Sequence, residues 1–243
     1  MHTIEICAAE QNLNKISPLH KFIFMYYKYM THLNTLINTL NKKKFFLLKI
    51  FSNLIFQLII TFIIAFNVKT TLFNKNLYFI SLIIFQFILI ISLAWIRMHQ
   101  FIKFILMTLF SICWGLLFIR IKQYVSPEII KASLLSVLSI FIIMFCIGLL
   151  LIAFNINLGH KVGLFLLFAL MFVIISYIVI LFMNKYNIFH KIIAIVIITL
   201  MSLFIIYDTN IILQRNYGGD FITASIDYYL DILNIFISLI NYH

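Results

Sequence analysis

The stretch FIIYDTNIILQRNYGGDFITASIDYYLDILNIFISLI, from Phe204 to Ile240, joins the end of one long apolar run to most of another. The two runs cover about 189–213 and 221–241. Each supplies the roughly 20 residues that a helix needs to cross a bilayer. Between them, Asn216 to Asp220 with Gly218-Gly219 carry turn chemistry. The apolar residues are continuous rather than alternating, which selects helices over the strands of a membrane barrel. The stretch therefore predicts a helical hairpin in lipid.

Five further runs precede it, at about 45–66, 77–96, 101–119, 129–154 and 162–183. The fourth has the clearest start: Ser126-Pro127-Glu128 combines an N-cap, a first-turn proline and a first-turn acid. The expected fold is all-α, a polytopic seven-transmembrane-helix bundle at 45–243 behind a basic cytosolic tail at 1–44. Within the tail, Phe22 to Leu33 is read as an interfacial helix. Composition agrees: 64% of the 243 residues are apolar or aromatic and 10% are charged, and the mean hydropathy is +1.12. That little charge cannot cover a water-facing surface, which excludes a soluble enzyme and a disordered chain. The first long run begins too late for a secretory signal peptide.

Seven of the eighteen basic residues precede Ile50. Beside a membrane helix, such a cluster reads as attraction to anionic lipid and retention in the cytosol, rather than as a nucleic-acid site. The orientation rests on this cluster, because the remaining basic residues favour the opposite side. Cys7, Cys113 and Cys146 share no close spacing and read as small hydrophobes. HExxH, GxSxG, CxxC and phosphate-loop patterns are absent, so no enzyme and no cofactor is expected.

In a chain this apolar, the informative residues are ionisable groups inside spans. Asp208 lies in the sixth run and Asp231 in the seventh, eleven residues before and twelve after Gly219. In an antiparallel hairpin they reach the same depth, about 16 Å from the turn at ~1.5 Å per residue. Two carboxyls at one depth in a low dielectric should share a proton. Such a pair serves as a proton sensor, or as a cation site when deprotonated. Asp227, Asp231, Asn234, Ser238 and Asn241 recur at helical steps and form one polar face. That face reads as an ion or proton path, with interhelical hydrogen-bond glue as the plainer alternative. Arg97 is the candidate counter-charge, with Gln86 about three turns earlier on its face; an interfacial snorkelling arginine is the other reading. Tyr207, Tyr228 and Tyr229 read as packing and interfacial aromatics, with pathway residues as the second reading.

These residues also carry a resemblance. Tyr207-Asp208-Thr209, the acidic turn, and the run from Ala224-Ser225 through Tyr229-Leu230-Asp231-Ile232 to Asn234 and Phe236 resemble the C-terminal signature of the transmembrane Bax inhibitor motif family. KFFLLKIFSNLIFQLIITF (Lys44 to Phe62), ISLAWIR (Ile91 to Arg97) and VSPEIIKAS (Val125 to Ser133) are similar to its first, second and fourth helices. The resemblance implies seven helices and a calcium leak tuned by pH through an aspartate pair, Asp208 and Asp231, which are also the implied calcium ligands. It implies that Arg97 engages the sixth-helix aspartate. Two positions depart from the pattern: Asp227 replaces the usual Asn, and Gln86 replaces the Glu of some relatives.

The resulting expectation is a pH-sensitive calcium leak channel or exchanger that modulates calcium homeostasis and cell death. Its partners would be membrane lipid, calcium and other membrane proteins, with no nucleic acid. The alternative is a non-conducting regulator that inhibits apoptosis or a membrane protease by contact. The expected site is a multi-pass location in Golgi or endoplasmic reticulum for a eukaryotic or viral copy, and in the inner membrane for a bacterial one.

Overall fold

A computed structural model describes residues 18–68, 76–96, 98–182, 187–215 and 217–243. They form seven helices: α1 (Pro18–Asn67), α2 (Asn76–Trp95), α3 (Gln100–Tyr124), α4 (Pro127–Ala153), α5 (His160–Phe182), α6 (Asn187–Gln214) and α7 (Phe221–Tyr242). Six contain a stretch long and apolar enough to cross a membrane, and α2 contributes a shorter apolar stretch, Tyr78–Leu93. Its 20 residues still reach about 30 Å at ~1.5 Å per residue. The outer faces are apolar: Phe165, Phe168 and Phe172 of α5 are 70%, 70% and 72% exposed. A face of this kind is stable against acyl chains and not against water. The chain is a multi-pass membrane protein.

The first helix differs from its expected extent. No Gly or Pro follows Pro18 before Asn67, so nothing breaks the helix at the tail boundary, and α1 runs through Lys44 and Phe45 in one piece. Likewise α3 continues past Arg120 to Tyr124, where Val125 turns extended. Arg120 lies over the Phe79 ring, and Lys122 donates to the Phe66 carbonyl. Ser126 caps α4 through its side chain, with Pro127 in the first turn. Cys113 is buried, whereas Cys146 faces outward.

The most extensive packing is between α6 and α7, and α7 also contacts α1, α3 and α4. A chain of neutral hydrogen bonds links α1, α3 and α7. The Asn53 amide donates to Met107 Sδ, and Gln57 Nε2 donates to Asn53 Oδ1 and Thr108 Oγ1. Thr61 Oγ1 lies 2.6 Å from Tyr229 Oη. Ser225 Oγ donates to the Ile50 carbonyl. Where α3 crosses α1, Gly115 leaves no room for a side chain: a Cβ there would fall 2.7 Å from Ile64 Cβ and from the Thr61 carbonyl oxygen.

Gly218 and Gly219 adopt φ of 60° and 83°, left-handed values that glycine takes without steric cost. They reverse the chain into Asp220, whose Oδ1 accepts from the Thr223 amide as the N-cap of α7. Lys103 of α3 ties this turn down, donating to Asp220 Oδ2 at 2.5 Å and to Thr223 Oγ1 at 3.0 Å. Burial alone would push the Asp220 carboxyl up. The hydrogen bonds from Lys103 and from the Thr223 amide and hydroxyl outweigh it, and hold the group below its ordinary value of 3.8.

Two outcomes are expected. Gly115→Leu should cost about 1–3 kcal/mol by overpacking, read as a lower thermal midpoint in detergent. Gly159→Ala, where a Cβ meets nothing within 4 Å, should leave the midpoint unchanged. The Asp220 contribution to stability is fully present above pH 3.8 and is lost as pH falls through the lower folded-state value. Acid titration of the midpoint should therefore show a loss in that window that is absent from Asp220→Asn.

Candidate functional site: an acidic row between the last two helices

Asp208 comes from the C-terminal half of α6 and Asp231 from the middle of α7. The antiparallel hairpin brings their carboxyls within interacting range of each other. Asp231 is 5% exposed. Its Oδ2 is sealed from solvent and meets no hydrogen-bond donor among the described residues. Asp227, one turn earlier on α7, lies within electrostatic reach of both and of Asp220 at the start of the helix. The result is a row of carboxyls from the α6–α7 turn to mid-membrane depth. Tyr217 borders it from the turn: burial, then the charges of Asp227 and Asp208, push its phenol above the ordinary value.

The walls are close-fitting. Thr209 Oγ1, beside Asp208, lies 2.9 Å from Tyr228 Oη. Tyr228 is fully buried and packs against Phe51 and Phe141. Gly148 brings α4 against this level, since a Cβ on it would meet the Thr209 side chain at 2.6 Å. Asn210 fixes the next level, donating to the Ile156 carbonyl and accepting from the Leu158 amide.

The remaining predicted positions separate. Asn234 is half-buried, with its amide 3.7 Å from Met201 Sδ of α6, and Ser238 is buried. Both continue the inward face below Asp231, whereas Asn241 is exposed. Gln86 belongs elsewhere. With its amide oxygen turned toward α3, it accepts from Trp114 Nε1 at 3.3 Å and from the Trp114 amide at 3.1 Å. It lines a largely apolar cavity of about 670 Å³ between α2, α3 and α7. Arg97 lies outside the described residues, as do Cys7 and Asn216. Tyr228 and Tyr229 are fully buried and hydrogen-bonded, packing residues rather than interfacial ones.

No group of three or more His, Cys, Asp or Glu side chains suited to a metal occurs among the described residues. Two carboxyls offer fewer oxygens than the six to eight a resident calcium takes. No curated protein matches the chain. A family model described as "Inhibitor of apoptosis-promoting Bax1" matches residues 43–242, a span that includes the second half of α1, all of α2 to α7 and the whole acidic row. The chain belongs to the Bax inhibitor family.

Proposed function

We propose that the protein is a pH-sensitive calcium leak pathway, channel or exchanger, whose conduction is set by the protonation of the Asp208–Asp231 pair. The observation that carries this reading is the approach of the two carboxyls between α6 and α7, with no donor on Asp231 Oδ2 among the described residues. Two carboxyls held together without a donor require a shared proton. Losing that proton leaves adjacent negative charges that repel one another and attract a hard cation. The pair is thus a bistable element: a proton bridges the helices, and a cation takes its place when the proton leaves. The resemblance carried by the C-terminal motif implies the same reading.

A second reading is a contact regulator of cell death that conducts nothing. The family description favours it, and so does the N-terminal part of α1, where Phe22, Met25, Tyr26 and Tyr29 are exposed. That surface offers aromatic side chains to another membrane protein.

Reconstitution into liposomes with an entrapped calcium indicator separates the two. The wild-type chain should pass calcium with a pH-dependent rate. Asp208→Asn with Asp231→Asn should lower the rate by an order of magnitude or more and flatten its pH profile. Unchanged flux and profile in the double variant would remove the pair from the mechanism. A wild-type chain that passes no calcium at any pH would leave the contact regulator. Asp227→Asn, which restores the residue usual in the family, should keep conduction but change its pH profile, because a carboxyl within electrostatic reach of the pair is gone.

A further inference from the structure

Lys103 is 9% exposed although it carries a charge, and a buried lysine is costly unless its partners repay desolvation. Its partners are oxygens: Asp220 Oδ2 at 2.5 Å and Thr223 Oγ1 at 3.0 Å, with the threonine hydroxyl donating in turn to Asp220 Oδ2 at 2.8 Å. This shell resembles what a hard cation receives at the mouth of a pathway.

The shell stands at the head of the acidic row. Asp220, Asp227 and Asp231 follow one another on α7 at steps of seven and four, so they keep within about 20° of one line along the helix. The row descends ~10 Å from Asp220 to Asp227 and ~6 Å more to Asp231. Two further lysines surround the same end: Lys43 Nζ donates to the Arg215 carbonyl, and Lys49 lies 6.0 Å from the centre of the Phe221 ring.

Anchoring alone does not account for Lys103. The turn is also held by the cap from Asp220 Oδ1 to the Thr223 amide, by Gln100 Nε2 to the Gly219 carbonyl, and by Lys43 to the end of α6. The ammonium contributes what these contacts do not, a positive charge bonded directly to the first carboxyl of the row.

We propose that Lys103 is a tethered cation that occupies the outermost site of the acidic row and limits the entry of divalent cations from the α6–α7 turn. This rests on the calcium reading above. Lys103 holds Asp220 in place of a free ion, and its charge lowers cation concentration at the mouth. Its flexible stem lets the ammonium give way without unfolding the turn.

Opposite substitutions on the one ion pair test this in full-length protein in liposomes. Lys103→Met removes the positive charge and should raise the initial calcium rate several-fold. Asp220→Asn keeps an N-cap but leaves the lysine charge unneutralised, and should lower the rate several-fold. Lys103→Gln, which retains a donor for Asp220 and Thr223, serves if the methionine variant does not fold and should also raise the rate. A purely mechanical latch would make both losses of the pair move flux in the same direction, and that result, or flux equal to wild type in all variants, overturns the proposal. A conducting wild type with unresponsive variants refutes this inference alone; a wild type that never conducts refutes the calcium reading as well.

Discussion

Lipid offers no hydrogen bonds, so every polar group at membrane depth must find its partner inside the bundle. The last helix carries most of that demand. Asp227, Asp231, Asn234 and Ser238 make one face of α7 polar, and Ser225 and Tyr229 add groups on the other side. A helix polar on two sides cannot face acyl chains, and the fold encloses it: 61% of the apolar window of α7 is buried, against 11% for α5. The remaining helices are arranged around that need. The apolar α5 packs chiefly on α6 and α2 chiefly on α3, whereas α1, α3, α4 and α6 all touch α7.

The turn before α7 transmits the same constraint to the membrane surface. Gly218 and Gly219 permit a tight reversal, which sets the start of α7 level with the end of α6. Asp220 then has two duties, capping the helix through Oδ1 and pairing with Lys103 through Oδ2. The register of the hairpin is thereby fixed close to its turn. Because both helices are rigid rods from that point, Asp208 and Asp231 reach one depth within interacting range of each other. A slip of one residue would rotate Asp231 by about 100°, away from α6.

Much of this was legible in the sequence. Long apolar runs gave the seven helices, Ser126-Pro127-Glu128 gave the start of α4, and equal spacing from Gly219 placed the two aspartates at one level. What periodicity cannot give is the partner of a side chain on another helix. Asn53, Gln57 and Thr61 recur at steps of four, so their shared face was readable, but Thr108, Met107 and Tyr229 become their partners only through the crossing of α1 with α3 and α7. Gln86 went the other way. Its helical register put it on the face of Arg97, which lies outside the described residues, and the packing of α2 on α3 gives it Trp114 as a partner. Lys103 sits three residues into α3, where a lysine reads as a snorkelling interfacial residue. Only the return of the chain at Asp220, more than a hundred residues later, makes it part of the acidic row.

The two sides of α7 divide the labour between holding the fold and handling charge. Tyr229 and Asp231 are about 200° apart around the helix. On the tyrosine side the contacts are neutral and directed: Tyr229 to Thr61, and Ser225 to the Ile50 carbonyl. Close packing at Gly115 adds to them where α1 meets α3. None of these contacts changes with pH in the physiological range, because hydroxyls and amides do not titrate there. On the opposite side the contacts are between acids, and their sign depends on a proton. A helix held on one side by bonds indifferent to pH can let the other side change charge without releasing the bundle. An aspartate pair that also had to hold the helices together could not lose its proton without loosening them, so under the proposed reading the neutral network is what would free the pair to switch.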